Sequence, residues 1–224
     1  SCFSSAAGLV RKSSHQLKME RCYMDKKNII LMVVFCLMSN GILAKNLETN
    51  ELESNVPPKK IDIYEDWEVD RHDNIVRYST HGSLVHGHRF GWIKKAGNCD
   101  IDILATTIST QKNNKDRLYD FKGESIDLRI NFPQAKEEDP AIINTDLIGV
   151  FDFATLKIAF FGNFIQGQMF DSLMAYFNTI KIEVTNPHKI YFDIPSDEFS
   201  LNGYVAAKLK AKELCEDIVK TTSL

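Results

Sequence analysis

The chain has 224 residues, of which 44% are hydrophobic and 25% charged, a composition typical of a globular protein with a sizeable core. Six of its 27 basic and two of its 30 acidic side chains precede Lys45, so the chain from Lys45 onward has a formal net charge of −7. This acidity argues against nucleic acid or an anionic membrane as the main partner, because both attract basic proteins.

The stretch Met24–Ala44 has the three parts of a secretory signal peptide. A lysine pair opens it, Ile29–Met38 is an unbroken apolar run of ten residues, and a polar break precedes the small Ala44. A membrane-spanning helix needs about 20 apolar residues, so the run predicts a cleaved signal and no stable membrane span afterwards. A buried core helix is the alternative interpretation. We therefore expect a periplasmic or secreted protein.

Changes in composition along the chain predict five parts. They are a non-native or upstream extension at 1–23, the signal peptide at 24–44, a flexible linker at 45–60, a single β-rich domain at 61–218 and a tail at 219–224. The predicted domain is long enough to build one proper core.

Alternation of apolar and polar residues predicts the strands of this domain. Ile61–Tyr64 and Trp67–Val69 show the alternation of a half-buried strand, and Ile75–Tyr78 is predicted as the returning strand. Further predicted strands are Leu84–Ile93, Cys99–Thr110 and Ser125–Phe132. Leu147–Ile165 is apolar enough to suggest a membrane segment, but charged residues interrupt it. Two strands joined by a turn near Ala154-Thr155 explain it better.

In the last part of the domain, the spacing of apolar residues changes between that of a helix and that of a strand. Gln168–Asn178 has helical spacing, Ile180–Val184 and Ile190–Ile194 alternate around an Asn186-Pro187 turn, and Leu201–Lys220 is again helical. The face predicted for this last helix contains Val205, Leu209, Leu214, Cys215 and Ile218. Together these elements predict a mainly β fold, an antiparallel β-sandwich or curled sheet with a short helix and a C-terminal helix.

Two cysteines, Cys99 and Cys215, remain once the extension and the signal are set aside. An even number of cysteines in an oxidising compartment predicts that they form a disulfide. Two separate buried thiols are the alternative. No Cys-x-x-Cys motif is present, which argues against a thiol oxidoreductase.

Three histidines within eight residues, His81, His86 and His88, are candidate metal ligands. If they lie on a strand, His86 and His88 project to one face, and His81 could join them across a bend to hold zinc or copper. A polar sheet face is the alternative interpretation, because no cysteine or tight acidic set completes the site.

The motifs of well-known enzyme classes are missing from the sequence. It has no nucleophile elbow, phosphate-binding loop, His-Glu-x-x-His motif or dinucleotide-binding glycine pattern. A hydrolase of unknown type would have to use a set such as His72, Asp73 and Ser79, which almost any sequence offers. We therefore expect a protein without catalytic residues and without a cofactor, unless the histidines bind a metal.

Phenylalanine and methionine are concentrated around the short predicted helix. The residues concerned are Phe164, Met169, Phe170, Met174 and Phe177. A hydrophobic core is the simplest interpretation. The functional alternative is an apolar surface or groove, covered by the helix, for a protein partner or a small apolar ligand.

The segment Phe199–Ala207, FSLNGYVAA, follows a predicted strand and opens a helix. It resembles the closing motif of the invasion-associated locus B family of exported bacterial proteins, and Trp67 near the domain start is similar too. The resemblance implies a small, secreted, mainly β domain involved in host-cell interaction, with no established catalytic group. The preferred interpretation is an exported bacterial envelope protein that binds a partner. Metal binding comes second and a hydrolase third.

Overall fold

The computed structural model describes residues 61–135 and 140–222. The predicted extension, signal peptide and linker, residues 1–60, lie outside the described residues, as do residues 136–139 and the last two residues. None of the described helices combines the length and the apolar character that crossing a membrane requires.

The described chain forms one sheet of eleven strands, and every strand pairing is antiparallel. The strands are β1 (Ile61–Tyr64), β2 (Trp67–His72), β3 (Ile75–His81), β4 (Arg89–Lys95), β5 (Asn98–Leu104), β6 (Thr106–Thr110), β7 (Ser125–Asn131), β8 (Ala141–Phe153), β9 (Leu156–Gly162), β10 (Thr179–Val184) and β11 (Ser196–Ser200). The helices are α1 (Gln168–Tyr176), α2 (Tyr204–Thr222) and two short 3-10 helices, Lys115–Phe121 and His188–Tyr191.

The sheet curls so that its last strand returns toward its first ones. The strand order is β1-β2-β3-β4-β6-β9-β8-β7-β10-β11, with β5 next to β6 on the same edge of β4. One isolated bridge joins Gly82, just after β3, to Phe199 of β11. The indole N–H of Trp67 donates to the Ser200 carbonyl oxygen at 3.0 Å. The predicted mainly β fold is therefore confirmed, in its curled-sheet form and with both predicted helices.

The hydrophobic core lies on the concave side of the sheet, which we call the inner face. Strand β7 shows why the sequence folds this way: Ile126, Leu128 and Ile130 are buried there, while the residues between them are exposed. Trp67 and Trp92 are completely buried in the same core. Both α-helices also contribute side chains to it, so the inner face is covered.

Helix α2 packs on the sheet through a narrow face whose middle consists of small residues. Its buried side chains recur at helical spacing and are Tyr204, Ala207, Ala211, Cys215 and Ile218. The prediction that Val205 and Leu209 belong to this face is wrong, because they are 49% and 65% exposed. The two alanines allow the helix backbone to approach the sheet closely, and the cysteine on the same face fixes the rotation of the helix.

Three predicted strands differ from the structure. The strand after β10 is Ser196–Ser200 and not Ile190–Ile194, because the latter segment forms a 3-10 helix and then a loop whose Phe192 fills the core. Strand β4 begins at Arg89, so the first five residues of the predicted strand Leu84–Ile93 form a loop. The segment Cys99–Thr110 divides into β5 and β6, both on the same edge of β4.

Candidate functional site

The structure contains the predicted disulfide between Cys99 and Cys215. Their Cα atoms are 5.7 Å apart, and the bridge closes a sequence separation of 116 residues. Cys99 lies on β5 and Cys215 on the buried face of α2. The bridge therefore attaches the C-terminal helix to the edge of the sheet.

A buried charged cluster lies beside the disulfide, between the sheet and α2. The Lys94 ammonium of β4 is 2.6 Å from one carboxylate oxygen of Asp102, and the Lys208 ammonium of α2 is 3.1 Å from the other. The Tyr78 hydroxyl donates to Asp102 at 2.7 Å. Lys94, Asp102 and Tyr78 are at most 4% exposed. One buried carboxylate thus joins strands β3, β4 and β5 to the C-terminal helix.

A second carboxylate extends this cluster to α1. Asp171 lies 2.7 Å from the Lys208 ammonium and accepts a 2.5 Å hydrogen bond from the Tyr204 hydroxyl. Burial would raise the pKa of Asp171, but its bonds to Lys208 and Tyr204 lower it overall. Burial, reinforced by the bond to Asp171, raises the pKa of Tyr204. Each charge in this cluster has a partner of opposite sign. We therefore interpret the cluster as structural: it holds the two α-helices against the sheet.

The structure does not bring the three candidate metal-binding histidines together. His81 ends β3 and His86 lies in the following turn, with their rings stacked at 4.8 Å. His88 is fully buried: its Nδ1 is 3.0 Å from a carboxylate oxygen of Asp197, and its Nε2 is 3.2 Å from the Ser109 carbonyl oxygen. The expected common face of His86 and His88 does not form, because the segment is a loop rather than a strand. Within residues 61–135 and 140–222, no three His, Cys, Asp or Glu side chains are arranged to hold a metal ion.

Asp197 of β11 holds this histidine-containing loop in place. Its carboxylate accepts hydrogen bonds from the backbone N–H groups of Leu84 and Val85, at 2.9 and 3.0 Å, and from the Ser83 hydroxyl. His88 contacts the same buried carboxylate. His88 and Asp197 therefore fix the path of the loop between β3 and β4.

A charged group borders the outer, convex side of the sheet near the same loop. Arg89 of β4 donates to a Glu68 carboxylate oxygen at 2.8 Å, and His81 Nε2 lies 3.4 Å from the other. The hydrogen bond to His81 lowers the pKa of Glu68 from 4.5 to about 2; burial opposes this effect and the charge of Arg89 adds to it. Beside it, buried Arg77 forms a bidentate pair with buried Asp70.

The predicted phenylalanine and methionine surface is divided between core and solvent. Phe170 and Met174 are buried in the core, 9% and 1% exposed, and Phe164 and Phe177 pack against it half-buried. Only Met169, at 79% exposure, faces solvent. These five residues therefore do not form one exposed surface, and the core interpretation describes all but Met169.

A second apolar region, which the sequence analysis did not identify, lies on the outer face of the sheet. We define the outer patch as Ile75, Ile93, Phe151, Ile158 and Phe160. Four of them are at most 8% exposed, and Phe151 is half-buried. None belongs to the hydrophobic core.

The strand register places the outer patch opposite the core. Ile158 pairs with Ser109 and Phe151, while its neighbours in sequence, Lys157 and Ala159, point to the inner face, where Ala159 is part of the core. On β3 and β4, Ile93 pairs with Arg77 on the outer face. The outer patch is therefore bordered by the Asp70–Arg77 and Glu68–Arg89 pairs.

A bulge in β8 directs Phe151 to this side. The register of β8 against β9 shifts between Leu147 and Gly149, so residues before and after the shift exchange faces. Ile142, before the bulge, is on the outer face beside exposed Arg129, whereas Phe151, after it, is beside Ile158. The outer face of β8 is thus polar and exposed at its start and apolar at its end.

Comparisons with known proteins gave a weak structural likeness and no match in sequence. No protein-family profile matches the chain, and no curated protein matches it. One solved structure that it resembles is invasion associated protein B from Bartonella henselae, with 10% identity and a TM-score of 0.42, covering 69% of this chain and 97% of that one. This weak structural likeness supports no conclusion about function, and the family resemblance of the C-terminal motif stays a prediction.

Proposed function

We propose that this chain is an exported bacterial envelope protein, periplasmic or secreted, that acts as a non-catalytic interaction module. The outer patch is its surface for a protein partner. Support for export comes from the signal-like stretch 24–44 and from the disulfide, because disulfides form and persist in oxidising compartments.

The outer patch is the observation that carries the proposal. A sheet that needs only one core is expected to place polar residues on its other face, as β7 does. Strand β9 instead has isoleucine and phenylalanine on the outer face as well, and all of its residues except Leu156 are buried. Apolar side chains on the outer face, bordered by charged pairs, match the composition of an interface with an apolar centre and a polar rim.

The shape of the outer patch favours a protein partner over a small molecule. Small ligands bind in concave pockets that enclose most of their surface. The outer patch lies on the convex side of a curled sheet, which cannot enclose a small ligand but can pack against a helix or strand of another protein.

A crosslinking experiment in cells tests the location and the surface together. A photo-crosslinking amino acid replaces Thr107, which pairs with Phe160 on the outer face, or Ile142 as the control on the polar part of that face. We expect the processed chain Lys45–Leu224 in the envelope fraction, with two cysteines that are alkylated only after reduction. We also expect one discrete protein adduct from position 107 and none from position 142.

The two parts of the proposal can fail separately. An unprocessed chain with free thiols in the cytosol would contradict export. Equal or absent adducts at positions 107 and 142, with export intact, would contradict the assignment of the outer patch as a partner surface.

A further inference from the structure

We propose that a cavity at one end of the sheet binds a carboxylate attached to an apolar side chain, as in a free apolar amino acid or at the C-terminus of a peptide. The cavity has a volume of about 420 Å³, within the range of small-ligand sites. It lies between the loop that follows β6 and residues 185–195, which join β10 to β11. None of its lining residues belongs to the outer patch, so this inference goes beyond the proposed function and does not depend on it.

A buried hydroxyl holds the two walls of the cavity together. Thr110, 1% exposed at the end of β6, donates to the Tyr191 carbonyl oxygen at 3.1 Å. Its Oγ1 also accepts hydrogen bonds from the backbone N–H groups of Lys112 and Asp193, both at 3.2 Å. A hydroxyl offers one donor and two acceptor positions, and all three are used here. The walls are therefore fixed before a ligand arrives, which reduces the entropy cost of binding.

Two side chains of the cavity have polar groups available for a ligand. Lys112 and Asn186 are both exposed, and within the described part of the chain neither side chain has a hydrogen-bond or ion-pair partner. The ammonium of Lys189, which also lines the cavity, instead pairs with Glu183. The available ammonium and amide N–H groups are donors, so they select an anionic acceptor.

A carboxylate also lines the cavity and limits the charge of the ligand. Burial raises the pKa of Asp193, but the Thr110 hydroxyl and neighbouring backbone N–H groups together lower it by more, so this group is negative at neutral pH. Beside one available ammonium, Asp193 opposes a phosphate, which has nearly two negative charges, and accommodates a carboxylate, which has one. Asp193 can also pair with the ammonium of a free amino acid.

The apolar part of the lining selects the rest of the ligand. Ile190 is 51% exposed, Phe192 belongs to the core with 2% exposure, and Pro195 is half-buried. An apolar side chain packed on these three residues removes the exposed part of Ile190 from water, which favours binding. A carboxylate alone would leave that surface exposed. The combination of polar and apolar walls therefore fits an amphipathic acid.

An NMR titration of the full chain, with its disulfide intact, tests this site. The probes are N-acetyl-leucine, free leucine, the neutral N-acetyl-leucinamide and inorganic phosphate, and the readout is the backbone amide signals of Lys112 and Asp193. We expect the tighter-binding of the two acids to bind at least about tenfold more tightly than the amide or phosphate, because its carboxylate forms a charge-assisted contact that the amide lacks.

Two variants and one control identify the residues and the source of the ligand. Lys112→Met should weaken binding of the acid at least about tenfold, whereas Lys122→Met, at an exposed lysine outside the cavity, should leave it unchanged. If leucine is the tighter ligand, the source is a free amino acid, and Asp193→Asn should remove its advantage over N-acetyl-leucine. If N-acetyl-leucine is the tighter ligand, the source is a peptide C-terminus.

The inference is overturned if the amide or phosphate binds as tightly as the acids, if Lys112→Met binds them like the parent, or if neither acid shifts these signals at about 10 mM. Unchanged amide signals outside the cavity show that each variant is folded. None of these measurements involves the outer patch, so a negative result leaves the proposed function standing.

Discussion

Asp102 is the most informative residue for testing how the helices are held to the sheet. Its carboxylate lies between the Lys94 and Lys208 ammonium groups and accepts a hydrogen bond from Tyr78. Asp102→Asn keeps the volume of the side chain but removes its charge, which leaves buried Lys94 without its counter-ion. Removing one partner of a buried ion pair costs about 3 to 5 kcal/mol.

The matched control is two residues away on the same strand. Asp100 also pairs with a lysine of α2, Lys212, at 2.5 Å, but its side chain is 85% exposed. Exposed ion pairs contribute little, so Asp100→Asn should leave stability unchanged. Thermal unfolding of both variants and the parent measures the difference. We expect Asp102→Asn to lower Tm by about 10 °C, given about 2 to 4 °C for each kcal/mol in a domain of this size.

Equal stability of the two variants would refute this reasoning. It would mean that water or relaxation screens Asp102 as fully as it screens Asp100, and that packing of the alanine face of α2 alone holds the helix. A large loss that disappears when Lys94→Met is added would instead identify the unpaired ammonium as the cause, because a double-mutant cycle isolates the pairwise interaction.

Three further predictions concern the disulfide, a glycine and a carboxylate. Replacing Cys99 and Cys215 by alanine should lower the free energy of unfolding by about 4 to 5 kcal/mol in the chain-entropy model, measured by urea titration; a change below about 1 kcal/mol would contradict it. Gly203→Ala should destabilise by at least about 1 kcal/mol more than Gly97→Ala, because both have φ near +90° but only at Gly203 would the new Cβ lie 2.0 Å from a carbonyl oxygen of β1. Because folding lowers the pKa of Glu68 from 4.5 to about 2, its stabilisation is complete above pH 4.5 and is lost as the pH falls toward 2. Chemical unfolding at several pH values should therefore show a smaller acid-induced loss for Glu68→Gln, and identical pH profiles would count against the ion pair.

The sequence predicts well the strands and helices that bury only one face. Alternation of apolar and polar residues predicts strand β7, and the charged interruptions of an apolar stretch predict the turn at Ala154-Thr155. The structure confirms both. The strand predicted at Ile190–Ile194 is wrong because alternation of apolar and polar residues indicates which side chains are buried. It does not indicate which backbone groups pair with another strand. Tyr191 and Phe192 are buried from a 3-10 helix and loop, while the strand that pairs with β10 has the more polar sequence Ser196–Ser200.

The candidate sites also differ in how far the sequence could predict them. The Cys99–Cys215 disulfide was predicted from the expected export and the even number of cysteines alone. The histidine prediction assumed that His86 and His88 lie on a strand, and the loop instead buries His88 against Asp197, a residue more than 100 positions away. Such a long-range pair has no signature in local spacing, so sequence periodicity could not reveal it.

The outer patch did have a sequence signal, which was its excess of apolar residues. The segment Leu147–Ile165 approaches the hydropathy of a membrane helix because β9 has apolar residues on both faces. A continuous apolar strand is usual in parallel sheets covered by helices on both sides, but the described sheet is antiparallel with its α-helices on one side. Strand β9 therefore departs from the one-sided burial that β7 shows in the same sheet. In the proposed function, a protein partner packs against this apolar outer face of β9.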